Sequence, residues 1–296
     1  MIWLFLTAIL LALSIVAFIV IKTAWTVTHP NRNWRPIGWE ASPLELNETT
    51  FVSGDGVLLY GAFKVHPQPV ATVLCVHGLG ANKSALEWRA HRLYKRGFSV
   101  FLFDLRGCGK SSGRVTTGGV REMDDIEAAL EACLRHPALS IAPIVALADS
   151  MGATATLNVA AARSEIKAIF SDAAFASMTT AIQWGFTKHT GLPAWPFQKP
   201  VVLLAEALSR TRIRDASALN TIGSITPGHV YLAHGLRDSI VPPSDARLLF
   251  DQANQPKHLW VVPEAGHVVG AYVEPEAYAD RVAKFFREAT VTTTNI

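Results

Sequence analysis

A chain of 296 residues with a formal net charge of +3, half of it hydrophobic, has the length for one α/β domain with a large core and a short extra segment. So small a positive charge, with no lysine or arginine block, argues against a nucleic-acid partner. No group of His, Cys, Asp and Glu has metal-ligand spacing and no repeat is visible, so neither a metal site nor a solenoid is expected.

The first element in chain order is apolar. Met1 to Ile21 carries no charged side chain, and about twenty apolar residues suffice for a spanning helix. A cleaved signal peptide would want a basic start and a small-residue cleavage site, and neither is evident, so an uncleaved single-pass anchor over residues 1–21 is the expectation. A buried hydrophobic helix is the remaining reading. Trp25, Trp34 and Trp39 follow, as aromatic residues do at a membrane interface. Lys22, Arg32 and Arg35 lie after the span and no charged side chain precedes it, which places the rest of the chain in the cytoplasm. Cys75, Cys108 and Cys133 form no disulfide pattern, in keeping with that side.

Residues 22–47, with Pro30, Pro36 and Pro43, read as a juxtamembrane linker. Residues 48–290 read as one domain, and 291–296 as a tail. Thr50 to Tyr60 is expected to form a β-hairpin turning at Gly54-Asp55-Gly56. Strands are predicted over Ala71 to His77, Phe98 to Phe103, Ile144 to Leu147 and Lys167 to Phe170. Helices are predicted over Ala85 to Arg96, Gly119 to His136, Ala246 to Ala253 and Glu274 to Arg287. This alternation implies an α/β fold, a mostly parallel sheet with helices on both faces. Residues 176–228 break the alternation. Their Trp184, Phe186, Trp195 and Phe197, and the helical run Val201 to Leu208, suggest a cap insertion over the strand ends. Trp184, Phe186 and Trp195 are candidates for the substrate pocket. Packing of the cap onto the body would explain any one of them equally well.

The chemistry-bearing residues follow strands. Ile144 to Leu147 runs through Ala148 and Asp149 into Ser150-Met151-Gly152-Ala153, with small residues on both sides of the serine. A strand turning abruptly into a helix at a serine is a nucleophile elbow. Ala148 stands where that pattern usually has its first glycine; a serine that only caps a helix is the plainer alternative. Val230 to Ala233 runs into His234-Gly235-Leu236-Arg237-Asp238, and Leu259 to Val262 runs into Gly266-His267. Serine, acid and histidine in that order, each past the C-terminal end of a strand, would meet at one edge of a parallel sheet. Asp238 is the preferred acid. Asp172, also after a strand, is the alternative, otherwise expected to bond loop backbone near the site.

An oxyanion needs two backbone N–H donors. Met151 would supply one and the loop His77-Gly78-Leu79-Gly80 the other, from Leu79 or else Gly78. His77 is expected to be structural. Asp104 and Arg106 are expected to form a network beneath this loop, and the Asp149 side chain to point away from the site. Because no triad or oxyanion candidate precedes Asn47, the anchor is expected to stand apart from the active site.

With Val76-His77-Gly78-Leu79-Gly80, Phe103-Asp104-Leu105-Arg106-Gly107-Cys108-Gly109-Lys110-Ser111, Asp149-Ser150-Met151-Gly152, Ser171 to Phe175, His234 to Asp238 and Gly266-His267, the chain resembles an α/β-hydrolase. It is similar to the membrane-anchored Bem46-like branch and to the serine-aminopeptidase-like hydrolases, from about Thr50 onwards. The resemblance implies a cofactor-free serine hydrolase with Ser150, Asp238 and His267 as catalytic triad, acting on a small-molecule or lipid-like acyl substrate, a carboxylic ester above all. Two readings stay open beside it. One is a peptidase or thioesterase on the same triad; the other is a catalytically silent membrane-tethered binding protein.

Overall fold

The computed structural model of the protein describes residues 1–32, 44–226, 229–268 and 273–292. Trp34, Arg35 and Trp39, and Thr293 to Ile296 at the end of the tail, lie outside the described residues. Among the described residues, eight strands form one sheet in the order β1-β2-β4-β3-β5-β6-β7-β8. β1 (Asn47–Val52) and β2 (Leu58–Lys64) form the expected antiparallel hairpin, and β2 lies antiparallel against β4 (Ser99–Phe103). From there β4, β3 (Thr72–Val76), β5 (Ile144–Asp149), β6 (Ile166–Asp172), β7 (His229–Gly235) and β8 (Lys257–Val262) run parallel. All their C-terminal ends therefore share one edge.

Period-2 alternation explains the three layers. Leu74 and Val76 of β3, with Ala146 and Ala148 of β5, face helices α3 (Glu122–Arg135) and α4 (Ser150–Ala160) in one buried cluster. Val73 and Cys75, with Val145 and Leu147, face α2 (Ser84–Tyr94) and the last helix, α8 (Pro275–Thr292), in the other. The three cysteines are free and buried.

Between β6 and β7 the chain inserts α5 (Met178–Thr190), α6 (Gln198–Ser209) and two short 3-10 turns, Ile213–Asp215 and Ile222–Ser224. Ser177 caps α5 by accepting from the Thr180 N–H, and Gly191 ends it with a left-handed residue. α7 (Pro243–Gln252) lies between β7 and β8.

The apolar N-terminus is α1 (Ile2–Thr28), 27 residues with a mean hydropathy of 3.0 over its most apolar window, long and apolar enough to cross a membrane. It runs well into the segment expected to be linker, because neither glycine nor proline interrupts it before Pro30. It also does not stand apart from the domain. Residues 2–15 are exposed on every side. Val16, Ile19, Val20, Thr23, Ala24, Val27 and Thr28 are covered along one stripe, the i, i+3, i+4, i+7 spacing of a docked helix. Ala24 belongs to the same buried cluster as Val201 and Ala205 of α6. The end of α1 is tied down by hydrogen bonds from the Thr116 N–H to the Thr28 carbonyl (2.8 Å) and from the Thr116 hydroxyl to the Val27 carbonyl (2.9 Å).

Candidate active site

Ser150 is the first residue of α4, directly after β5. Its φ of +50° is left-handed, a conformation that a residue with a side chain adopts only at a cost of about 1–3 kcal/mol. That turn lifts the hydroxyl above the sheet edge. It requires the helix start to press on the neighbouring strand, and Gly152 permits this: a β-carbon there would lie 2.3 Å from the His77 carbonyl oxygen. Ala148, at the position of the pattern's usual first glycine, is fully buried in the sheet, paired with Val76 and Ser171.

The three residues predicted from strand ends are brought together. The Ser150 hydroxyl donates to His267 Nε2 at 3.0 Å, and His267 Nδ1–H donates to Asp238 Oδ2 at 2.8 Å. The second bond fixes the tautomer, because a carboxylate can only accept, and so leaves Nε2 free to take a proton. The loop carrying His267 approaches β7 closely enough that a β-carbon on Gly235 would lie 2.2 Å from the Gly266 carbonyl oxygen.

Asp238 is saturated with donors. Oδ1 accepts from the Ile240 N–H (2.7 Å) and the Val241 N–H (2.9 Å). Oδ2 is also 3.2 Å from His234 Nε2. Burial alone would raise this carboxyl. Hydrogen bonds from the His234 and His267 rings outweigh burial and hold it well below the ordinary carboxylate range. His234 was not singled out as a functional residue in the sequence. Its signal was its position four residues before Asp238, at the end of the same buried strand.

His77 is structural, as expected. Its Nε2 accepts from the Leu105 N–H (3.0 Å) and its Nδ1–H donates to the Gly78 carbonyl (2.8 Å), while burial keeps the ring below its ordinary pKa and neutral. The loop it anchors abuts the nucleophile: a β-carbon on Gly78 would lie 3.1 Å from Ser150 Cβ. Leu79, Gly80, Ser150, Met151 and His267 line one cavity of 550 Å³. Met151 lies in the first turn of α4, where the N–H has no helical acceptor, so it is available to a ligand.

Several expectations need correction. Of the three aromatics expected in the pocket, Phe186 lines the cavity, stacked on Phe197 at 5.4 Å, but Trp184 and Trp195 do not. The Trp184 indole donates to the Asp238 carbonyl (3.1 Å), bracing the acid loop from outside, and Trp195 is 83% exposed. Among the described residues Asp172 bonds no loop backbone; it accepts from the Tyr278 hydroxyl (3.3 Å), and burial beside Asp149 pushes its carboxyl up to about 6. Asp149 points away from the site, as expected, into a buried ion pair with Arg89. Asp104 and Arg106 form two separate networks. Asp104 accepts from the Lys83 and Lys110 N–H groups, and Arg106 forks onto Asp125 and Asp55.

Comparison with known proteins agrees with this architecture. Residues 67–220 match the family described as "Serine aminopeptidase, S33". YfhR of Escherichia coli K12, an uncharacterised protein, is 28% identical over 263 residues, covering 86% of this chain and 81% of its own. Protein bem46 of Schizosaccharomyces pombe is 26% identical over 213 residues, covering 71% and 65%. Among solved structures, the Pyrococcus furiosus esterase Pf2001 superposes with a TM-score of 0.72 at 25% identity, covering 89% of this chain and 98% of that one.

Proposed function

Because the chain belongs to the serine aminopeptidase, S33, family of α/β-hydrolases, we propose that it is a serine hydrolase cleaving carboxylic esters, with Ser150 as nucleophile. The observation that carries this reading is the continuous hydrogen-bonded line Ser150–His267–Asp238 at the foot of an apolar cavity. His267 takes the Ser150 proton as the hydroxyl oxygen attacks the ester carbonyl. Asp238 holds the imidazole in the required tautomer and stabilises its charged form. The N–H groups of Met151 and Leu79 stabilise the oxyanion, aided by the positive end of α4. The intermediate collapses, His267 returns its proton to the departing alcohol, and water then releases the acid from the acyl-enzyme.

An ester is favoured over an N-terminal peptide by the cavity wall. An aminopeptidase must neutralise the substrate's α-ammonium, but among the described residues those lining this cavity include no carboxylate and do include Lys22. The Pyrococcus neighbour, itself an esterase, points the same way.

The domain arrangement belongs to the same proposal: α1 anchors the chain in a membrane, and the hydrolase domain, with its cap over residues 176–228, lies on the cytoplasmic side. The test of activity is fluorophosphonate labelling of the full-length protein in detergent. The wild type is expected to label and Ser150→Ala to lose labelling, with turnover of p-nitrophenyl butanoate falling by on the order of 10⁵–10⁶. Undiminished labelling of that variant would overturn the assignment, and faster turnover of aminoacyl anilides than of esters would favour the peptidase. Protease added to spheroplasts should spare the domain; digestion while a cytoplasmic marker survives would reverse the orientation alone.

A further inference from the structure

The cavity above Ser150 has one wall that the domain does not build. Phe18, Ile19, Lys22, Thr23, Thr26 and Val27 of α1 line it, facing α5 and the catalytic residues. These positions belong to the docked half of α1, and they continue without a break into the exposed, uncharged half.

We propose that the docked half of α1 is a wall of the acyl-binding cleft, and that the substrate is a long-chain acyl ester resident in the membrane that holds α1. This rests on the ester-hydrolase reading above. The acyl chain lies between α1 and α5, its carbonyl at Ser150, and it enters from the bilayer along α1.

Three features carry the argument. First, the wall is fixed. Thr116 holds the carbonyls of Val27 and Thr28, and Arg32 donates to the Gly113 carbonyl (2.7 Å) and to that of Ser111, so the helix keeps its distance from Ser150. Second, apart from Lys22 the wall is chemically suited to hydrocarbon. The hydroxyls of Thr23 and Thr26 bond back to the carbonyls of Ile19 and Lys22 and demand nothing of a ligand, and opposite them α5 presents Met178, Ile182 and Phe186. From Phe18 to Val27 the wall is about 13 Å long at ~1.5 Å per residue, room for a long chain rather than an acetyl group. Third, the exposed side of α1 next to the cleft is apolar. Phe18, which lines the cleft, and Ile21 and Trp25, within one or two turns of it on the same helix, are more than half exposed. Each methylene that passes through water disfavours transfer about fourfold, so a chain sliding out of a bilayer along this surface avoids a penalty that a soluble route would impose.

The test uses the full-length protein in vesicles. Thr23→Trp and Ile19→Trp would fill the cleft from the α1 side. The ratio of kcat/KM for hexadecanoyl over butanoyl p-nitrophenyl ester is expected to fall at least tenfold in both. Leu13→Trp, on the exposed half, should leave the ratio within twofold of wild type. A shift in Leu13→Trp equal to that in Thr23→Trp would mean that α1 acts through membrane attachment alone, and no shift in any variant would remove α1 from the cleft; either result overturns the proposal. In the unmutated protein, a hexadecyl fluorophosphonate with a terminal diazirine should react at Ser150 and cross-link within the peptide Phe18–Thr28; cross-links confined to other segments would overturn it too. A long-chain acyl ester lipid should be cleaved when it shares the enzyme's vesicle and spared in a separate vesicle population, whereas equal cleavage would refute the membrane route. Failure of the wild type to react with any fluorophosphonate would instead fell the serine-hydrolase reading, and this inference with it.

Discussion

Ser150 stands between two walls built by different rules. One is polar and comes from the strand ends. Asp238, His234, His267, His77 and the Leu79 loop are tied by hydrogen bonds whose partners sit on neighbouring strands or the loops they carry. The other is apolar and comes from helices added to the sheet, α1 and α5, with α6 packed against α1, held together mainly by packing. On the proposed function, the chemistry belongs to the first wall and the choice of substrate to the second. A hydrogen-bonded wall fails when one donor is lost; a packed wall tolerates exchange of similar volumes.

The sharpest way to break this comparison is to remove the acid. Asp238→Asn is expected to lower kcat by on the order of 10⁴, because the imidazole loses its orienting acceptor. Asp172→Asn, which touches Tyr278 rather than His267, should change kcat by less than about threefold; the reverse ranking in steady-state ester assays would show that the polar wall has been misread.

Next in size is Gly152→Ala. A β-carbon 2.3 Å from the His77 carbonyl forces the elbow apart, and a loss of about 3 kcal/mol is expected in guanidinium titrations of the detergent-solubilised protein. An unchanged midpoint would mean that the elbow is less tightly seated than its geometry indicates.

His234 sharpens the comparison from within the polar wall. His234→Phe removes one donor from Asp238 and should reduce kcat/KM roughly tenfold, with His234→Gln recovering most of it by restoring an N–H. Equal losses in both variants would assign the ring a packing role only.

The smallest effect lies away from the site. The Arg106 guanidinium holds the Asp55 carboxyl down to about 2, below the ~3.9 of an unfolded chain. A folded-state pKa below the unfolded value gives stability that is present above about pH 4 and is lost as pH falls towards 2. Asp55→Asn should therefore cost about 1 kcal/mol at pH 7, with the difference disappearing by about pH 2. A difference that persists in acid would mean that the pair is not the cause.

The two walls were not equally legible in the sequence. Ser150, Asp238 and His267 each follow their own strand, so local hydropathy placed them, and parallel topology brought them to one edge. Ala148 and Asp149 were legible for the same reason. The helical wall depends on contacts distant in sequence. Trp184 and Trp195 share composition and insert with Phe186, and nothing local distinguishes the one that lines the cavity. The docking of α1 was hidden because its apolar residues surround the whole helix, so the face that packs cannot be told from the face that does not. The partners of Asp104, Arg106 and Asp172 were missed because hydrogen bonding and ion pairing in buried networks are set by which elements cross, not by spacing along the chain.

α1 has one more consequence, which is mechanical. From Ile2 to Thr28 it contains neither glycine nor proline, and its last three turns are fastened to the body that holds Ser150. Such a helix has no swivel. Whatever grips its first half sets the attitude of the whole domain, so the height and heading of Ser150 above that support are dictated by the number of residues between them. Lengthening the rod by one residue would turn the cleft by about 100°, and lengthening it by a whole turn would raise the cleft by about 5.4 Å while nearly restoring its heading.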